Sequence, residues 1–298
     1  MNKIIQCVPN FSEGRNLEVI EKIIEPFQKY KEVKLLDYSA DKDHNRLVVT
    51  IAGTPDLLEK ALYDAVDIAV NKIDMKKHKG QHPRMGAVDV IPFIPVKNVT
   101  MDEAVELSKK VAEEISRRHF LPVFLYEQSS VIPGRTNLAD IRKGQFEKMT
   151  EKMKTPEWKP DYGPDTVHKT AGVTAVGARM PLVAFNVNLN TDNIVIAENI
   201  AKKIRHISGG LRYCKCMAVK LENRGIVQVS MNMTNYTKTA LYTVFELIRI
   251  EARRYGVSIK GSEIVGLVPM DALIESAKYY LMLENFSISQ VLEKKIME

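Results

Sequence analysis

The order of hydrophobic patterns along the chain predicts an α+β fold built from two similar units. Three observations carry that expectation. Stretches with apolar residues at helical spacing alternate with short apolar runs of strand length. The order β-α-β-β-α occurs once in each half. In both halves a short polar turn separates the two central strands, as in an antiparallel hairpin.

In the first half, Lys3 to Pro9 is a β-type run, and Leu17 to Tyr30 is a helix with Val19, Ile20, Ile23, Ile24 and Phe27 on one face. Strands at Val33 to Tyr38 and Arg46 to Ala52 flank the turn Ser39 to Asp43. Thr54-Pro55 opens the next helix, with a capping residue before a first-turn proline, and its stripe is Leu58, Leu62, Ala65, Ala69 and Ile73. Ala87 to Ile91 is a closing strand. The Thr100-x-x-Glu103 capping box starts a helix from Met101 to Arg118, and Leu121 to Tyr126 is a strand. Phe146 to Pro164, interrupted by three prolines, reads as an extended polar connection. The second half repeats the order: strand Leu182 to Leu189, helix Ile194 to His206, strands Cys214 to Leu221 and Ile226 to Met231, helix Thr239 to Tyr255. The expectation is therefore two ferredoxin-like split β-α-β subdomains, 1–180 and 181–298. A ligand cleft belongs between them, because domain junctions favour pockets.

Composition narrows the function classes. With 45% hydrophobic and 27% charged residues, the 298-residue chain has material for a substantial core. No run of about eighteen apolar residues occurs, so no membrane span is expected, and the N-terminus lacks the apolar stretch of a secretory leader. Three cysteines without framework spacing suit a reducing, cytoplasmic setting. The net charge of +6 is mild and mixed in sign, enough to favour anionic ligands without requiring nucleic acid.

Chemistry concentrates at His82, in Gly80-Gln81-His82-Pro83-Arg84-Met85-Gly86, a glycine-bounded loop between a long helix and a strand. An imidazole titrates near neutrality and can take and return a proton in one cycle. Arg84 and Lys79 are neighbours able to hold carboxylates, and Asp89 is placed to orient the imidazole. The same residues serve equally well as surface charges and loop contacts. No HExxH or Cys-x-x-Cys occurs, so no metal is expected. No G-x-S-x-G elbow, P-loop or dinucleotide fingerprint is present.

Ordered segments along the chain resemble the glutamate formimidoyltransferase family. They include Cys7-Val8-Pro9-Asn10-Phe11-Ser12-Glu13-Gly14, His44-Asn45-Arg46, His82-Pro83-Arg84-Met85-Gly86-Ala87, Asp161-Tyr162-Gly163-Pro164, Thr174-Ala175-Val176-Gly177-Ala178-Arg179, Ala184-Phe185-Asn186-Val187-Asn188-Leu189, Gln228-Val229-Ser230-Met231-Asn232 and Val265-Gly266-Leu267-Val268-Pro269. The resemblance implies a stand-alone transferase that moves a formimino group from N-formimino-L-glutamate to N5 of tetrahydrofolate, in histidine degradation and one-carbon metabolism. It implies that His82 is the catalytic acid/base. It implies tetrahydrofolate as co-substrate, contacted by Gly163, Pro164, Asp165, Thr166, Val167, His168, Lys169, Thr170, Ala171 and Gly172. It also implies a homodimer and a separate cyclodeaminase as partner. Arg46, Arg84 and Arg179 are the candidates for substrate carboxylates. Some relatives carry an acidic residue where this chain has Ser39, leaving Asp37 or Asp41 to supply that carboxylate. Rival readings are a formyltransferase using N-formylglutamate, a folate binder without turnover, and an RNA-binding module; the last lacks an RNP1-like run.

Overall fold

Ile4–Cys7 (β1) and Asn10–Phe11 (β2) are one extended run interrupted at Pro9, and both segments pair with the same two neighbours. The computed structural model, which describes residues 3–297, follows these strands with Leu17–Lys29 (α1), Val33–Asp41 (β3), Arg46–Gly53 (β4), Pro55–Lys72 (α2) and Val88–Lys97 (β5). Asn16 caps α1 by accepting from the Val19 amide. β1 lies antiparallel between β4 and β5, and β3 pairs with β4 on the far side. The order β5-β1-β4-β3 is that of the expected split β-α-β unit.

The first unit continues beyond that motif. Met101–His119 (α3) carries the expected capping box, with the Thr100 hydroxyl accepting from the Glu103 amide. Val123–Glu127 (β6), Leu138–Arg142 (α4), Gln145–Lys152 (α5) and Thr174–Ala178 (β7) follow. β7 runs parallel to both β5 and β6, widening the sheet to seven strands. All five residues of β7 are buried, which accounts for its lack of alternation in sequence. The structure corrects the reading of Phe146 to Pro164 as extended. Met149 and Met153 are fully buried, Phe146 packs half-buried against the main core of this unit, and Gly144 starts the helix at φ +92°. The three prolines all lie beyond that helix.

The chain divides into two compact units, Met1–Arg179 and Met180–Glu298. In the second, Val183–Leu189 (β8), Ile194–Ile204 (α6), Cys214–Leu221 (β9), Ile226–Met233 (β10), Leu241–Arg254 (α7) and Ile259–Val265 (β11) form an antiparallel sheet ordered β11-β8-β10-β9. β11 supplies the closing strand that sequence reading left undrawn for this half. Met270–Tyr280 (α8) and Leu292–Met297 (α9) follow it. Val183, Phe185, Val187 and Leu189 on one face of β8 pack with Ile200, Ile204, Val244 and Ile248 of the helices. Each such aliphatic side chain removed from water contributes about 1.5–3 kcal/mol. The first unit has its own core, where Ile5, Phe11, Leu47 and Ile51 meet Ile23, Phe27, Leu58 and Leu62.

Candidate active site

The loop carrying His82 has no regular structure, and three sets of contacts fix it. At its start, the Asp74 carboxylate accepts from the Lys76 amide at 3.0 Å, and Met75 donates its amide to the Thr170 carbonyl at 2.8 Å. Along its middle it lies against the β3–β4 turn. Asn45 donates to the Lys79 carbonyl (3.1 Å) and accepts from the Gly14 amide (2.9 Å), while the Gln81 amide donates to the Asp43 carbonyl (3.1 Å). A Cβ on Gly80 would stand 2.1 Å from the His44 carbonyl oxygen, so only glycine allows the two backbones this close. At the loop's end, Gly86 packs equally tightly on the Val173 carbonyl, and Gly172 sits at φ +72° against Met85.

Arg84 and His78 are internal braces of this loop. Buried His78 donates from Nε2 to the Asn45 carbonyl at 2.8 Å and accepts at Nδ1 from Arg84 Nε at 3.2 Å, which defines one neutral tautomer. Burial also pushes His78 below its ordinary pKa. The remaining Arg84 donors reach Glu147 at 2.6 and 2.9 Å, Gln145 at 2.9 Å and the His78 carbonyl at 3.2 Å. Sequence reasoning offered Arg84 to a substrate carboxylate; the structure places its guanidinium in this clamp. A cavity of about 480 Å³ opens beside it, walled by Lys76, His78, Lys79, Arg84, Gln145 and Glu147. His82 is not one of its walls.

His82 itself is half-buried and faces Arg46. One Arg46 guanidinium nitrogen straddles both ring nitrogens, 3.1 Å from Nε2 and 3.3 Å from Nδ1. The His44 ring lies edge-on to His82, with centroids 6.3 Å apart. His44 is in turn held by Asp41, whose Oδ2 meets His44 Nδ1 at 2.8 Å and whose Oδ1 accepts from the His44 and Asp43 amides. Those bonds, the His44 backbone amide first, lower the Asp41 pKa. Burial, followed by the positive charges of Arg46 and Arg142, pushes His82 down to about 3. At neutral pH the ring is therefore uncharged. Arg46 has an unusual position among the described residues: its hydrogen bonds go to His82, no carboxylate lies within ion-pair distance, and its buried Nε has no partner.

Other candidates fall into place around this centre. Asp41 pairs across the hairpin with Arg46, Ser39 with Val48, and Asp37 with Thr50, so all three share one sheet face. Asp41 is thus the one of the three at the His82 end of the strand, where its charge acts on the imidazole, and Asp37 stands about 13 Å further along. Asp89, expected to orient His82, is instead buried, accepting from the Met85 amide at 2.8 Å and ion-paired with Arg142. Arg179 closes β7, where its guanidinium hydrogen-bonds Tyr126. Of the stretch 163–172, Thr170 to Gly172 touches both ends of the His82 loop through the Met75, Met85 and Gly86 backbones. Gly163, at φ +89°, packs near Ser116 and Leu121, and Asp165 pairs with Lys159 at 2.5 Å. His168 accepts from the Ala171 amide at 2.9 Å, and burial lowers its pKa. Sequence reasoning assigned no role to His44 or Arg142. Asp41-x-x-His44 in a polar turn was a usable signal for the first; nothing local marks the second. Among the described residues, no cluster of three His, Cys, Asp or Glu side chains suits a metal, and no helix is long and apolar enough to cross a membrane.

Comparison with known proteins finds relatives along the whole chain. The formiminotransferase domain, N-terminal subdomain, matches residues 4–179, and the formiminotransferase domain matches residues 184–298. The glutamate formimidoyltransferase of Streptococcus pyogenes serotype M1 is 55% identical over 298 residues, covering 100% of both chains. That of Thermoplasma acidophilum is 44% identical, covering 98% of this chain and 97% of its own. The formimidoyltransferase-cyclodeaminase of Dictyostelium discoideum is 41% identical, and the match spans 99% of this chain but 56% of that protein.

Proposed function

This chain belongs to the formiminotransferase family, and from that premise we propose that it transfers the formimino group of N-formimino-L-glutamate to N5 of tetrahydrofolate. The observation that carries the catalytic assignment is the neutral imidazole of His82 held against an arginine that lacks a counter-ion. N5 of the folate adds to the formimino carbon, and the tetrahedral adduct then loses the glutamate nitrogen. His82 accepts the proton leaving N5 and returns it to that departing nitrogen, so the ring ends the cycle as it began. Such assistance is worth ~10²–10⁴-fold in rate. Arg46 holds a carboxylate of the donor, and that bound negative charge relieves the penalty the guanidinium places on imidazolium. Asp41 acts through His44, fixing its ring beside His82. Arg84 keeps the loop in register, and residues 163–172 supply folate contacts.

The formimidoyl names of the two relatives matched along almost their whole length favour the formimino donor over N-formylglutamate. A homodimer, and a separate cyclodeaminase consuming the product, complete the proposal; the Dictyostelium relative carries both activities in its name. The test is glutamate release from N-formiminoglutamate, with and without tetrahydrofolate, by the wild type and His82→Ala. Folate-dependent release that collapses in the variant is expected. A folded variant with full turnover would remove His82 from the mechanism, and no release by the wild type would refute the activity.

A further inference from the structure

The cavity beside the Arg84 clamp is walled wholly by the first unit, and the reaction described above uses none of it. Its volume of about 480 Å³ is in the range of small-molecule pockets. The start of the His82 loop contributes Lys76 and Lys79, and the first turn of α5 contributes Gln145 and Glu147. Buried Met75 and half-buried Phe146 add an apolar part to the lining.

Two cations of this lining are unmatched. Arg84 spends all five of its N–H donors on Glu147, Gln145 and His78, and Lys77 pairs with Asp74 at 3.8 Å. Among the described residues, neither Lys76 nor Lys79 has a carboxylate within ion-pair distance. Their main chains are nonetheless fixed, since Asp74 accepts from the Lys76 amide at 3.0 Å and Asn45 donates to the Lys79 carbonyl at 3.1 Å. Gln145 accepts from Arg84 through Oε1 at 2.9 Å, and its amino group has no partner among the described residues. Glu147 stays 59% exposed despite its pairing with Arg84, whose hydrogen bonds hold that carboxyl below the usual carboxylate range. It is thus an anion with lone pairs to spare. The cavity offers two fixed ammonium groups, one carboxylate, one amide donor and an apolar strip.

We propose that this cavity binds a free α-amino dicarboxylic acid, with its two carboxylates at Lys76 and Lys79, its ammonium against Glu147 and its methylenes over Met75 and Phe146. Such a ligand answers every unmatched charge with the opposite sign. A compact dianion such as phosphate would meet Glu147 uncompensated, and a cation would leave both lysines unmatched. The two lysines belong to the loop that carries His82, so a ligand joining them to α5 ties that loop down. The reaction proposed above releases glutamate, and on that reading the cavity senses product at a place apart from His82.

The test is calorimetric titration with L-glutamate and with glutarate, which keeps both carboxylates but lacks the ammonium. It uses the Arg46→Met chain, in which the donor site at His82 is disabled, with and without Lys76→Met and Lys79→Met. Both lysines are exposed, so their replacement leaves the fold intact, as thermal unfolding checks. L-Glutamate is expected to bind the Arg46→Met chain and to bind at least ~10-fold more weakly once the lysines are gone, the worth of a hydrogen bond to a charged group. Glutarate is expected to bind the Arg46→Met chain ~10-fold more weakly than L-glutamate, for the same reason. No binding of L-glutamate to the Arg46→Met chain, unchanged binding without the lysines, or equal affinity for glutarate overturns the proposal. Glutamate release from N-formiminoglutamate by the wild type is followed separately. Turnover without binding at the lysines refutes this site alone, and binding without turnover refutes its role as a product sensor.

Discussion

Replacing Arg46 by methionine isolates the electrostatics of the site. A guanidinium about 4 Å from an imidazolium opposes its charge by ~4 kcal/mol at an effective dielectric constant near 20. Both groups are partly solvated, which halves this to ~2 kcal/mol, or about 1.5 in pKa. Burial, the largest cause of the His82 shift, stays in place, and so does Arg142. The midpoint is therefore expected to climb from about 3 only to about 4.5, still below the ordinary histidine value. The assay is histidine side-chain NMR of the free protein between pH 4 and 7, with His82→Asn to assign the signal. In the wild type the His82 signal should stay that of neutral imidazole throughout; in Arg46→Met it should titrate at the acid end of the window. The acid limb of kcat/KM should rise with it, and KM for the donor should increase. A wild-type His82 that titrates near 6.5 and ignores the substitution would refute the reasoning.

The depressed His82 also couples to stability. Above about 6.5 the ring is neutral folded and unfolded; below it the unfolded chain takes a proton that the folded chain refuses, so stability falls with pH until about 3. Between pH 6.5 and 4.5 the wild type should lose ~2–3 kcal/mol more than His82→Asn in urea unfolding, and equal losses would contradict this. Gly80→Ala should cost about 1–3 kcal/mol and depress turnover at least tenfold by forcing the loop from the His44 carbonyl, while Gly134→Ala, which meets nothing within 4 Å, should be near neutral. Asp89→Ala strands Arg142 and should cost about 3–5 kcal/mol in thermal or denaturant unfolding; a loss below 1 kcal/mol would show that the pair does not brace the site.

Much of the architecture was legible because it is local. The stripe Leu58, Leu62, Ala65 and Ala69 is a helix wherever it folds, and the Thr100–Glu103 box formed as its spacing required. β7 was missed as a strand because a fully buried strand has no period to read, and α5 because prolines beyond its end were taken to interrupt it. β11, with Gly261 in its middle and mostly exposed positions, carries little strand signal of its own.

The site divides in the same way. The sequence by itself singled out His82 as the candidate, since a glycine-bounded loop between helix and strand is a local feature, and the family resemblance implied its acid/base role. It could not rank Arg46, Arg84 and Arg179. Arg46 reaches His82 across 36 positions, and Arg84 is claimed by Glu147 across 63. Only the tertiary structure decided which guanidinium faces the imidazole and which braces the loop. The physical reason is that sequence fixes a side chain's charge and periodicity, whereas its partner depends on which strands and loops the sheet brings within a few ångströms.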